Sequence, residues 1–288
     1  MPGCPICEAE LGRGRTSWLL RCRGCGFEQS TLAVRIGDPI SCGAIDEAAR
    51  ARGLSALRER NFRRIVGVLD GLRERRGSLL DVGCAHGWFL RQAAASGWRG
   101  VGIEPDGEIA RVAARSGTDV RVGMFPAALK PGERFDVIIF NDVFEHLADV
   151  HGALRACVAA LAPGGLLVIN LPDARGTFYR LACLLARARW FGPLSRLWQV
   201  GFASPHVSYF TAPLLRRLAE VHGFRPVYSA PLPSVALRGL WSRLRLDRNS
   251  RVLASALVWA GTCLLWPALR VSSSDISLEI FQLPAGRR

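Results

Sequence analysis

Five apolar runs mark the middle of the chain, at 79–82, 101–103, 120–122, 135–140 and 166–169. They are short and rich in Val, Ile, Leu and Phe, as buried strands are. Between them, 88–96, 106–116 and 149–161 carry apolar residues at helical spacing. Gly97 and Gly117 stand just past two of these helices, where a left-handed cap is wanted. Strands alternating with helices predict an α/β fold, a parallel sheet covered on both faces. A long helix is predicted over 46–76, with Leu54, Leu57, Ile65, Val68, Leu69 and Leu72 on one side. After Pro172 the rhythm changes. Residues 176–200 are amphipathic and studded with Arg and Trp, 212–222 reads as a helix ending at Gly223, and 235–270 is helical and very apolar. Short strands are predicted at 225–229 and 277–283.

The 288 residues suffice for one mid-sized domain and a small appendage, and 49% hydrophobic against 22% charged residues excludes a disordered chain. The expected division is a Cys-rich unit at 1–30, a linker and helix at 31–76 with a turn at Gly37-Asp38-Pro39, and a main domain at 77–288. The net charge is +14, with Lys130 the sole lysine. Part of this arginine excess reflects base composition. The rest suggests an anionic partner, a membrane surface or a phosphorylated substrate. Nine cysteines, an odd number, together with a start lacking a basic-then-apolar leader, argue for a reducing cytoplasm over a disulfide framework.

Cys4, Cys7, Cys22 and Cys25 form C-x2-C…C-x2-C with fourteen residues between the pairs. Two such knuckles supply four thiolates to one tetrahedral zinc, with no position left open, so the predicted site is a structural zinc ribbon. Cys42, Cys84, Cys157, Cys183 and Cys263 are scattered.

Asp81-Val82-Gly83-Cys84-Ala85-His86-Gly87 joins the first apolar run to a helix. A dinucleotide fingerprint needs glycine at its sixth position, where, counting from Gly83, this chain has Trp88. Gly102-Ile103-Glu104-Pro105-Asp106 follows, with an acidic residue placed to accept two ribose hydroxyls. The run 135–140 leads into Asn141, Asp142 and on to His146, and Leu161-Ala162-Pro163-Gly164-Gly165 makes a tight turn. In this order and spacing the four segments resemble class I S-adenosylmethionine-dependent methyltransferases, in the subgroup acting on small molecules, lipids or sugars. The resemblance covers 60–230. It implies a Rossmann-like sheet and S-adenosylmethionine as cofactor. The loop of Asp81, Gly83, Cys84, Ala85 and Gly87 would hold the methionine part, Glu104 and Pro105 the ribose side. Met124 and Phe125 would flank the adenine, and Asn141 and Asp142 would line the methyl-transfer end. Two positions depart from the family: Ala85 stands where glycine is usual, and Gly123 where a polar adenine contact is common.

A hydroxyl acceptor would need a base, and His146 and His206 are the candidates. His86 is expected only to fill the loop. The segments 176–210 and 235–270 are predicted to cover the acceptor pocket, with Trp190, Trp198, Trp241 and Trp259 facing an apolar or lipid-linked acceptor. The apolar run 252–269, next to Arg238, Arg243, Arg245, Arg248 and Arg251, predicts a helix lying on an anionic membrane surface; spanning would separate two strands of one sheet. Nucleic acid is the less favoured partner. Two alternatives stay open: a ribosomal RNA methyltransferase reading RNA through the ribbon, with Arg13, Arg15, Arg21, Arg23 and Trp18, and a cofactor-binding module without turnover.

Overall fold

A computed structural model of the chain describes residues 3–35, 47–235, 237, 240–244, 252–264, 266–267 and 273–286. The expected turn at 37–39, Cys42, and Arg238, Arg245, Arg248 and Arg251 lie outside the described residues, as does the side chain of Arg243.

The central sheet has seven strands: β4 (Ser78–Val82), β5 (Arg99–Glu104), β6 (Val120–Val122), β7 (Phe135–Asn141), β8 (Leu161–Pro172), β10 (Arg225–Leu232) and β11 (Ile276–Gln282). Their order is β10-β11-β8-β7-β4-β5-β6. β4 through β8 are parallel, and β11 runs antiparallel between β8 and β10. This is the Rossmann-like sheet, helices on both faces, that the sequence predicted. The paired end strands follow from the register Leu278↔Ala230 on one side and Leu278↔Asn170 on the other.

Helices cover both faces. One face packs α1 (Glu47–Leu72) and α2 (Trp88–Ala95) through Phe62, Ile65, Leu69, Phe89 and Trp98. α3 (Gly107–Arg115) continues along the sheet towards β6, and its N-terminus is capped by the Asp106 carboxylate. The other face packs α4 (Val150–Ala160) and α7 (Ala212–Val221) through Leu154, Cys157, Leu215 and Leu218. Gly97, Gly117 and Gly223 adopt positive φ just past their helices, as caps. Both insertions lie at the carboxyl edge of the parallel strands. α5 (Thr177–Arg187) and α6 (Gly192–Leu197) follow β8, and α8 (Leu240–Leu244) and α9 (Val252–Leu264) lie between β10 and β11.

The N-terminal unit departs from the expected arrangement. β1 (Leu11–Arg13), β2 (Leu19–Cys22) and β3 (Glu28–Ser30) form an antiparallel sheet, but that sheet has a fourth strand. It is β9 (Ser208–Tyr209), from the main domain, paired as Glu28↔Tyr209 and Gln29↔Ser208. Phe27 packs on Phe210, which packs on Phe144, so the ribbon shares one core with the large sheet. A three-stranded sheet of this size buries little by itself, and the edge of β3 is satisfied by the domain it rests on.

Candidate functional site

The carboxyl ends of β5, β4, β7 and β8 carry a row of polar side chains on otherwise apolar strands: Glu104, Asp81, Asn141 and Asn170. Asn141 Nδ2 donates to Asp81 Oδ1 at 3.2 Å, and Asn170 Nδ2 donates to Asn141 Oδ1 at 2.9 Å. Burial, reinforced by the nearby Glu104 charge, pushes the Asp81 carboxyl up to about 7 despite the Asn141 bond.

The loop after β4 wraps this row. Gly83 has φ 69°, and a Cβ there would meet Val143 Cγ2 at 2.6 Å. Gly87 has φ 68°, and a Cβ there would meet the Thr118 hydroxyl oxygen at 2.7 Å. Both positions therefore need glycine for conformation and for space. Ala85 holds φ 46° without being glycine, and its N–H donates to Glu104 Oε2 at 2.9 Å. Asp106 N–H donates to the other Glu104 oxygen at 3.0 Å. Glu104 thus pins the loop while keeping lone pairs for a ligand. Cys84 turns its thiol inward against Gly102, so at this position the ligand side is backbone. His86 stacks on Trp88. A small cavity lies inside the loop, walled by Asp81, Gly83, Ala85 and Asn141, and closed by Arg58 and Phe62 of α1. Pro105 is half-buried at the next turn. Met124 is exposed at the end of β6, whereas Phe125 meets Phe140 edge-on at 5.6 Å and packs against the core. Asp142 adopts φ 53° and its N–H donates to the Asn170 side chain at 3.1 Å.

A second group lies three residues beyond Asp142. Glu145, His146 and His206 present a carboxylate oxygen and two ring nitrogens within 4.8 Å of one another, a set that could hold a cation or move a proton. The two rings lie 4.8 Å apart, and each Nε2 is 3.9 Å from Glu145 Oε1. His146 Nδ1 donates to the Pro205 carbonyl at 2.8 Å, so in the neutral ring the lone pair falls on Nε2. Gln199 Nε2 lies 2.8 Å from His206 Nε2, which therefore accepts and leaves the proton on Nδ1. That Nδ1 and both Glu145 oxygens are buried with no hydrogen-bond partner among the described residues. Burial, with help from Asp142, holds the Glu145 carboxyl well above the ordinary range, and burial and His146 keep His206 well below 6.5 and neutral.

The four ribbon cysteines also converge. Cys4 Sγ lies 3.6 Å from Cys25 Sγ, and Cys7 Sγ 3.4 Å from Cys22 Sγ, with all four sulfurs within 4.8 Å. Bonds of about 2.3 Å to one zinc would put tetrahedral sulfurs about 3.8 Å apart. Backbone N–H groups of Ile6 and Cys25 also donate to Cys4 and Cys22 sulfurs at 3.4 Å. The donor set fits zinc.

Four residues of these sites escaped the sequence reading. Asn170 had a usable signal, a polar residue ending an apolar strand. Glu145 lay within a noted segment but was passed over beside its histidine. Arg58 and Phe62 reach the loop from a helix over twenty residues upstream, which nothing local announces.

The family model described as "Methyltransferase domain" matches residues 48–229. The ubiquinone biosynthesis O-methyltransferase of Bradyrhizobium sp. (strain ORS 278) is 32% identical over 140 residues, 46% of this chain and 53% of that protein. The protein of the same name from Caulobacter sp. (strain K31) is 28% identical over 183 residues, 60% of this chain and 68% of that protein. The chain matches about half the length of several such relatives. Among solved structures, a SAM-dependent methyltransferase from Thermotoga maritima superposes with a TM-score of 0.53 at 17% identity, covering 82% of this chain and 94% of its own. The [4+2]-cyclase SpnF superposes with a TM-score of 0.51 at 17% identity, covering 78% and 81%. At such identities the likeness is one of fold alone.

Proposed function

The chain belongs to the methyltransferase-domain family, and on that premise we propose that it transfers a methyl group from S-adenosylmethionine to a hydroxyl on a small, apolar or lipid-linked acceptor. The observation that carries this reading is the polar row Glu104–Asp81–Asn141 inside a glycine-built loop, with the buried Glu145–His146–His206 group beyond the end of β7. S-adenosylmethionine would supply an electrophilic methyl on a sulfonium. Glu104 would accept the ribose hydroxyls, the loop of Gly83, Ala85 and Gly87 would hold the methionine part through its backbone, and Asp81 would face its ammonium. Met124 offers the open surface at the adenine end. With the methyl moving from the sulfonium to the acceptor oxygen, the acceptor's proton would pass to His146 Nε2 or to the Glu145 carboxylate beside it. The name shared by the relatives, ubiquinone biosynthesis O-methyltransferase, supports oxygen as the methylated atom of a small lipid-like molecule.

The cysteine cluster is assigned a structural zinc, since its four thiols leave no open position. For the membrane, α9 supports peripheral contact: Leu253, Leu257 and Leu264 are 74%, 67% and 81% exposed, beside half-exposed Trp259. No helix among the described residues is long and apolar enough to cross a membrane. Against the RNA reading stands the packing of Trp18, which meets Trp198 edge-on at 5.8 Å and so is no free stacking platform.

Incubating the protein with methyl-labelled S-adenosylmethionine and a fractionated cell extract tests the reading. Label extracted into organic solvent is expected. Label confined to RNA, or no transfer to any fraction, would refute it.

A further inference from the structure

A cleft of about 760 Å³ opens between the ribbon and α5, and none of the cofactor-loop residues lines it. Its walls carry five arginines: Arg15 and Arg21 from the ribbon, Arg175 before α5, and Arg180 and Arg187 on α5. Glu28 is the one acidic residue of the lining. That carboxylate is already engaged. Arg15 Nη1 meets it at 2.8 Å, Arg21 Nε approaches the same oxygen at 4.0 Å, and the Tyr179 hydroxyl donates to the other oxygen. Arg175 shares its charge with Asp173, whose carboxylate accepts from the Arg175 backbone N–H at 2.8 Å, whereas Arg180 and Arg187 form no ion pair with a carboxylate among the described residues. The cleft therefore carries an excess of positive charge that the described residues do not neutralise.

The spacing on α5 sharpens this. Tyr179, Ala182 and Ala186 bury one face of the helix, so Arg180, Leu184 and Arg187 share the cleft face with Leu181. Seven residues of helix place the two arginines about 10 Å apart along the axis. Between them Leu181 and Leu184 are exposed. Guanidinium forks suit phosphate oxygens, and exposed leucines suit hydrocarbon. The one aromatic in the wall, Tyr179, has its ring stacked on Tyr209 at 4.1 Å, which removes the platform that a nucleic-acid base would need.

We propose that this cleft binds a phosphate group carried on an apolar body, with arginines of the ribbon and α5 gripping the phosphate and Leu181 and Leu184 receiving the apolar part. The site goes beyond the methyl-transfer reading and does not depend on it. Calorimetry on the full zinc-loaded chain tests both halves of the proposal. The probes are dihexanoyl phosphatidic acid below its micellar concentration, and inorganic phosphate alone. One-to-one binding of dihexanoyl phosphatidic acid at least roughly tenfold tighter than that of inorganic phosphate supports a phosphate on an apolar body, and equal binding of the two would leave Leu181 and Leu184 without a role and refute the apolar half of the proposal. The double variant Arg180→Gln/Arg187→Gln should weaken binding at least roughly tenfold. Unchanged zinc content and S-adenosylmethionine affinity in that variant show that its fold is intact. Two results would overturn the proposal. One is the absence of saturable binding of either probe up to about 1 mM. The other is binding that the double variant leaves unaltered.

Discussion

The two halves of the carboxyl edge are built in opposite ways. The cofactor half draws its parts from the ends of neighbouring strands: Glu104 and Asn141 are the last residues of β5 and β7, Asp81 the last but one of β4, and the glycines after β4 shape one loop. The acceptor half is assembled from residues far apart in the chain. Ser30 Oγ donates to the His206 carbonyl at 2.7 Å, and Ser30 N–H donates to the Val207 carbonyl at 2.8 Å. His151 Nε2 bonds the Pro5 carbonyl at 2.9 Å. The segment that carries His206 is thus held from the ribbon side, and the ribbon becomes part of the acceptor half.

This predicts an unequal response to zinc loss, the largest effect expected. A catalytic group shifted by about 1 Å can lose roughly a hundredfold in rate. Chelation, or Cys22→Ser, should lower methyl transfer by at least that factor. Affinity for S-adenosylmethionine should stay within a factor of about two, as for independent sites. Titration calorimetry and a transfer assay on the same sample measure both, and equal losses would remove the distinction between the halves.

Glu104→Ala strikes the cofactor half in return. It removes a carboxylate that pins two backbone N–H groups and would hold the ribose, so cofactor binding should weaken by about 1–3 kcal/mol. The Cys4 cluster should keep its metal, as metal analysis can verify.

The cofactor half should also carry a pH signature. The buried Asp81 carboxyl sits at about 7 without ligand and must ionise to face an ammonium. Binding therefore releases a proton. Affinity should rise as pH increases, by up to about tenfold per unit below 7, and level off above it. Asp81→Asn should flatten the profile while lowering affinity. A profile flat between pH 6 and 8 in the wild-type chain, measured by calorimetry over that roughly two-unit window, would show that Asp81 does not face the charge.

The smallest effect belongs to Ala85. Its φ of 46° is a left-handed conformation that costs a non-glycine residue roughly 1 kcal/mol. Ala85→Gly should relieve most of that strain, offset in part by the entropy glycine loses on folding, for a net gain below about 1 kcal/mol in thermal unfolding. A loss of stability would mean that the methyl group packs usefully.

How legible each half was in the sequence follows from the same contrast. Strand runs, capping glycines and the acidic residue at the end of β5 are local signals, so the alternation of strands and helices and the expected loop could be read directly. The long-range pairs carry no such signal. Nothing in Glu28 or Ser208 announces that they lie on adjacent strands, and the cysteine spacing shows a knuckle pair without showing what it rests on. The ribbon therefore read as a separate unit, although its sheet is completed by β9. The Glu145–His146–His206 group was half visible: two histidines were singled out, but only folding brings them to one carboxylate sixty residues from the second. Composition and spacing announced helices within 176–210 and 235–270, while the arginine-lined cleft between α5 and the ribbon could emerge only once both were in space.

Amide hydrogen exchange, with and without a zinc chelator, tests the joining of ribbon and acceptor half most directly. If β9 depends on the ribbon, chelation should speed exchange in Glu28–Ser30 and in Ser208–Tyr209 together, while Ser78–Val82 in the central sheet stays protected. Exchange that accelerates in Glu28–Ser30 alone, with Ser208–Tyr209 as protected as before, would show that the acceptor half stands without the ribbon.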